Sequence, residues 1–177
     1  MQVDATVARA LGWPKLKYAW VERERRWLCD RPPAELVERA ELICDLYVTG
    51  TRLRLREATP LGGGEPMRRL ARKADVDAST RLLTSLYLQP EEYRLFEGLP
   101  GRRLTKTRHH LTSMAGVAMS VDVFEGELTG LILAEAEFDD DETMAAFQPP
   151  AFLGREVTED ARYCGGRLVL DGAPPDR

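Results

Sequence analysis

The chain has 177 residues, 44% hydrophobic and 31% charged, the make-up of one domain long enough to bury a core. With 25 Lys and Arg against 29 Asp and Glu, the formal net charge is only -4. No global basic field therefore draws the chain onto nucleic acid or a membrane.

No apolar run approaches the ~20 residues that span a bilayer. The first twenty residues lack the basic start and continuous apolar stretch of a secretory signal, and an aromatic share of 7% is thin for base stacking. Cys29, Cys44 and Cys164 are odd in number, scattered and in no paired metal-ligand spacing. They read as reduced core thiols of a cytoplasmic protein, not as a disulfide or zinc site.

No repeat, low-complexity tract or long linker divides the chain. Residues 1–177 read as a single domain, with 1–19 an N-terminal extension and 171–177 a disordered tail. Period-two alternation, the mark of strands, dominates the rest. Segment 20–28 places Glu22, Glu24 and Arg26 on one face and Val21 and Trp27 on the other. Segment 31–40 reads as a connection or short helix, and 41–48 as a second strand. Thr49-Gly50 supplies a hairpin turn into 51–58, where Arg52, Arg54 and Arg56 alternate with Leu53 and Leu55.

A Gly/Pro-rich loop at 59–66 leads to strands at 67–76 and 79–88. Segment 89–99 reads as a helix with Pro90 near its start and Glu91 and Glu92 at the positive end of its dipole. Strands follow at 102–112, 116–124 and 131–138, then a short acidic-capped helix at 139–147. A further helix starts at 158–163 and is ended by Gly165-Gly166 before 167–170. About eight strands joined by short connections imply a mainly antiparallel α+β fold, a barrel or strongly curved sheet.

The charges on these strands are sorted by sign. Arg52, Arg54 and Arg56 share one face, Lys106, Arg108 and His110 another, and Lys73 lies between them in sequence. Glu22 and Glu24, Asp122, and Glu135 with Glu137 form the acidic set. Each face alone could simply be solvated. Against that, carboxylates two apart on a strand point together and repel unless cations relieve them. Phe124, Leu128, Leu131, Ile132, Leu133 and Phe138 also supply a core for the opposite face. If the charged faces turn into a closed barrel, a polyanion beside a divalent metal would compensate both signs. Arg forks hold phosphate oxygens bidentately, and hard carboxylates suit Mg²⁺ or Mn²⁺.

Glu22-Arg-Glu24-Arg-Arg26 resembles the ExExK signature of the CYTH superfamily, the triphosphate tunnel metalloenzymes. Arg52-Leu-Arg54-Leu-Arg56 is similar to that family's arginine strand, Leu70-Ala-Arg-Lys73 to its lysine strand, and Leu104-Thr-Lys106-Thr-Arg108 to its later lysine-arginine strand. Val121-Asp122-Val-Phe124 with 131–137 resembles the paired acidic strands, and Glu156-Val-Thr-Glu-Asp160 with Arg162-Tyr163 the closing helix segment. The resemblance runs from about residue 21 to 170.

It implies an eight-stranded closed antiparallel barrel, a triphosphate tunnel, with short peripheral helices. It further implies a divalent-metal-dependent phosphohydrolase acting on inorganic tripolyphosphate or a nucleoside triphosphate. The metal candidates it assigns are Glu22, Glu24, Asp122, Glu135 and Glu137, for Mg²⁺ or Mn²⁺. The phosphate-binding candidates are Arg26, Arg52, Arg54, Arg56, Lys73, Lys106 and Arg108. Glu24, Arg26 and Tyr47 are the catalytic candidates, Tyr47 being equally open to plain strand packing.

Two departures stand out. The signature Lys is Arg26, which does not readily exchange a proton. Strand 81–88 reads Leu83, Ser85 and Tyr87 on the face where many relatives carry glutamates. A class IV-type adenylate cyclase and a catalytically weak polyphosphate or nucleotide binder therefore stay open beside the hydrolase. The expected partner is a small-molecule triphosphate or polyphosphate, with no nucleic acid and no membrane; a homodimer stays open.

Other signals read as structural. Gly62-Gly63-Gly64 is a hairpin loop without the Lys-Ser/Thr of a phosphate loop. His109 reads as solvated and His110 as evenly balanced between solvent and substrate. Asp139 to Glu142 read as a solvated helix start, and Arg68-Arg69 and Arg102-Arg103 as surface salt-bridging pairs.

Overall fold

Alternating charged and apolar positions become nine strands, eight of which close into a barrel. In this computed structural model, which describes residues 3–175, the strands are β1 Trp20–Cys29, β2 Val37–Val48, β3 Leu53–Pro60, β4 Met67–Asp75 and β5 Thr80–Tyr87. They continue with β6 Gly101–Met114, β7 Val117–Phe124, β8 Ile132–Phe138 and a short β9 Leu153–Glu156. Four helices lie around them: α1 Ala5–Ala10, α2 Pro90–Glu97, α3 Asp141–Ala146 and α4 Gly165–Asp171.

The sheet order is β5-β4-β3-β2-β6-β7-β8-β1, every ladder is antiparallel, and β1 pairing with β5 (Trp20↔Leu83, Glu22↔Arg81) closes the ring. β9 adds to β1 outside that ring. Gly50 takes φ 71° in the β2–β3 turn, and the β6–β7 hairpin turns on Ala115 and Gly116 at φ 52° and 80°. These left-handed residues match the twist of antiparallel hairpins.

The apolar core lies mostly outside the barrel. Helix α1 sets Val3 and Ala8, with Trp13 beyond it, against Ala74 and Leu82. Helix α2 sets Tyr93 against Leu46 and Leu55. Trp27, Val121, Ala134 and Phe138 pack under Phe147, which meets the Phe138 ring edge-on at 5.3 Å. A further cluster, Leu104, Phe124 and Leu133 with Tyr163 and Leu168, comes from inward positions and backs onto α4. With the greasy faces packed outward beneath helices, the alternate faces are left to point inward.

Several boundaries differ from expectation. β2 begins at Val37 instead of 41, because Val37, Arg39 and Ala40 pair with β6. The N-terminal extension is structured: α1 is capped by Asp4, whose side chain accepts from the Thr6 N–H. Segment 158–163 holds one 3-10 turn, Ala161–Tyr163, and Gly165 starts α4 instead of ending a helix. In the expected tail, Asp171 ends α4 and Pro174 is buried; residues 176 and 177 lie outside the described ones. Among the described residues no helix is long and apolar enough to cross a membrane.

Candidate active site

The inward faces enclose a cavity of about 540 Å³. Among the described residues ten arginines or lysines and five carboxylates line it. Of the residues singled out from the sequence, Glu22, Glu24, Arg26, Tyr47, Arg52, Arg54, Arg56, Lys73, Lys106, Arg108, Glu135 and Glu137 all face this one space. Asp122 alone does not.

The acidic wall is built by β1 and β8, whose register sets Glu24 opposite Glu137 and Arg26 opposite Glu135. Glu22 lies 2.5 Å from Lys73 Nζ, and Glu135 2.5 Å from Arg108 Nη2. Burial alone would raise both carboxylates. Lys73 outweighs it for Glu22, and Arg108 with Lys106 for Glu135, so both are held below the usual range. Glu24 is clasped between Arg81 Nη1 and Arg26, whose Nε lies 3.5 Å away. Glu137 has no ion-pair partner among the described residues. Desolvation within the cavity pushes its pKa up; Arg108 opposes this, and Glu22, Glu135 and Glu24 add repulsion.

The basic wall is built by β2, β3, β4 and β6. Asp45, 1% exposed, faces Arg56 across the β2–β3 ladder and accepts from its Nε and Nη2 at 2.7 and 2.6 Å. Arg54 lies 3.8 Å from the same carboxylate. On β4 Arg69 faces Arg56 directly. Arg69 Nε, Arg54 Nε and Arg26 Nε are buried without hydrogen-bond partners, as is Ser85 Oγ on β5. Burial and the neighbouring Arg56 and Arg54 push the Arg69 pKa down to about 10.

Asp122 lies behind the cavity wall. It is fully enclosed, accepts from Arg108 Nε and Nη2 at 2.7 Å each, and also holds Lys106 Nζ. Three of its roughly four lone-pair sites are taken up in positioning the two cations.

The segment before α4 forms part of the lining. Arg26, 2% exposed, donates through Nη1 to Tyr163 O at 3.1 Å and to Cys164 Sγ at 3.3 Å. Cys164 is thus a lining thiol between Arg26 and Arg81 (3.8 Å), not a core cysteine. A Cβ on Gly165 would sit 2.2 Å from the Tyr47 hydroxyl, so only glycine lets α4 start there. Burial pushes the Tyr47 phenol up, Arg54 opposing.

Five charged lining or supporting residues were not singled out as site residues from the sequence: Asp45, Arg69, Asp75, Arg81 and Arg167. Of the expected surface pair, Arg68 does bridge Glu57 at 2.6 Å, but Arg69 turns inward. Arg102 and Arg103 reach carbonyls near the ends of α4 and α2 instead of carboxylates, the acceptors a helix C-terminus leaves open. His110 lies outside the cavity lining, with Nε2 2.9 Å from Glu41 Oε1. On β5, where glutamates were expected, Arg81 and Leu83 face the cavity and Tyr87 is 70% exposed.

The crystal structure of an inorganic triphosphatase matches this fold with a TM-score of 0.57 at 28% identity, covering 84% of this chain and 94% of that one. An inorganic triphosphatase of Nitrosomonas europaea is 42% identical over 76 residues, 43% of this chain and 50% of that protein. In fold and in these aligned segments the chain is similar to inorganic triphosphatases. An inorganic triphosphatase of Acetivibrio thermocellus is 46% identical to this chain over 54 residues, 30% of it and 33% of the relative. The matched segments thus span half or less of those two relatives. A Pyrococcus horikoshii protein shares the fold alone, with a TM-score of 0.55 at 21% identity over 70% of this chain and 82% of its own. No protein-family model matches the chain.

A divalent metal of the kind the resemblance implies would draw its donors from the tunnel carboxylates. Among the described residues no three His, Cys, Asp or Glu side chains stand ready together as ligands. The donor set nonetheless suits a hard divalent ion: Glu137 has no ion-pair partner among the described residues, and Glu22, Glu24 and Glu135 line the same cavity.

Proposed function

We propose that the tunnel hydrolyses a phosphoanhydride bond of a linear triphosphate, inorganic tripolyphosphate first and nucleoside triphosphates second. The observation that carries this is a barrel cavity lined by cations in excess, with carboxylates confined mainly to one wall. The similarity to proteins described as inorganic triphosphatases supports it. Arg26, Arg52, Arg54, Arg56, Lys73, Lys106 and Arg108 bind the phosphates, and Glu22, Glu24, Glu135 and Glu137 hold Mg²⁺ or Mn²⁺. When bound, that ion supplies positive charge against the phosphate oxygens.

The chain's own residues do the rest by position and charge. Asp45 fixes the Arg56 guanidinium, and Asp122 that of Arg108, from behind the cavity wall. Water oxygen bonds to the terminal phosphorus as the bridging P–O bond breaks, giving phosphate and pyrophosphate with a proton released. Arg26 stabilises charge and moves no proton. The three free cysteines suit a reducing, cytoplasmic setting.

A second reading, a binder with little turnover, is favoured by one observation. Leu83 occupies the cavity wall on β5, and its neighbour Arg81 engages Glu24. Phosphate release from tripolyphosphate with Mg²⁺ or Mn²⁺ decides between them. The expected result is turnover that falls by about 100-fold or more in Arg54→Ala and Glu24→Ala proteins that remain folded. Tight binding with no release under either metal selects the binder, and variants as active as the wild type would overturn both residue roles.

A further inference from the structure

Arg54, Arg56 and Arg69 come from adjacent strands, two from β3 and one from β4, and converge on one part of the cavity. Only one carboxylate, Asp45, serves all three. It is bonded to Arg56 and lies 3.8 Å from Arg54. Arg69 has no ion pair or hydrogen bond among the described residues, and its Nε is buried and unpartnered. A guanidinium so placed is costly unless something anionic meets it. Three cations around one anion leave an excess of positive charge on this part of the wall.

The chemistry of a phosphate chain distinguishes its ends from its middle. An internal phosphate carries one negative charge, whereas a terminal one carries up to two, with three free oxygens for forked donors. We infer that Arg69 is a substrate-binding residue which, with Arg54 and Arg56, seats the terminal phosphate of a linear chain. The inference rests on the triphosphate reading above and adds a specificity to it: linear chains are preferred over cyclic ones, which have no terminus. Arg69 is the discriminating member because Asp45 already engages the other two. Its depressed pKa, caused by burial and by Arg56 and Arg54, fits a cation awaiting its counter-ion.

The test is calorimetric titration in EDTA with two probes, linear tripolyphosphate and cyclic trimetaphosphate, on wild type, Arg69→Met and Arg69→Lys. Thermal melts establish that each variant is folded. Affinity of Arg69→Met for the linear probe should fall about tenfold to hundredfold, the worth of charge-assisted hydrogen bonds, while the cyclic probe changes less than about threefold. Arg69→Lys should fall between, since it keeps the charge and loses the fork. Unchanged linear affinity in Arg69→Met, or an equal loss for both probes, overturns the seat and leaves the hydrolase reading standing. A wild-type protein that binds neither probe, with or without Mg²⁺, removes the triphosphate reading itself and this inference with it.

Discussion

Asp45 holds Arg56 bidentately and draws on Arg54 from a fully enclosed position. Burial alone would raise its pKa, but Arg56 and then Arg54 outweigh that and hold it well below the usual carboxylate range. The folded chain therefore binds this proton more weakly than the unfolded chain. The resulting stability is fully present above about pH 4, the unfolded value, and is lost as pH falls toward the lowered folded value. Asp45→Asn should lower unfolding free energy at neutral pH by about 3–5 kcal/mol, because it strands buried guanidiniums. It should also flatten the acid limb of a denaturation series run from pH 7 downward. A variant as stable as wild type at pH 7 would mean that the guanidiniums need no partner. Asp45 was hard to find in the sequence because it stands as one polar residue in an apolar run, Leu42 to Val48. Nothing local shows that the inward face there is the charged one.

Helix α4 illustrates how an element can depend on one absent atom. Its first residue, Gly165, lets the helix start against the Tyr47 ring. Gly165→Ala should cost about 1–3 kcal/mol through overpacking. Tyr47→Phe, which removes the clashing oxygen, should recover part of that loss, and a double-mutant cycle by thermal unfolding measures the coupling. Strictly additive losses would mean that α4 shifts freely. The strands with unbroken alternation were legible in advance: Glu22, Glu24 and Arg26, then Arg52, Arg54 and Arg56, face the cavity as their spacing implies. Arg69 was legible too, because it stands four residues before Lys73 on one strand and therefore shares its face, while its neighbour Arg68 takes the other. Arg81 was passed over because attention to strand 81–88 rested on missing carboxylates. The Gly165-Gly166 pair misled because a glycine pair ordinarily marks a helix end; here close approach of a side chain required it.

At the scale of the molecule the usual arrangement is reversed, with apolar contacts under peripheral helices and charge within. The tunnel brings like charges together, so an anionic guest should stabilise the whole barrel. Tripolyphosphate at about 100 times its dissociation constant should add about 2.7 kcal/mol to unfolding free energy. The shift should shrink in Arg54→Ala, as read by thermal melts across a ligand series. No shift in wild type at millimolar tripolyphosphate would show that the guest does not engage the native state. The closing seam has its own consequence. β1 lies between β5 and β8, both distant along the chain, through pairs such as Trp20↔Leu83 and Arg23↔Phe138. During folding the first strand must wait for the latecomers on either side, and long-range pairing of this kind is intrinsically slow. The ring snaps shut last, so an unfinished polypeptide leaving the ribosome displays its arginine ladder on an open, half-made surface.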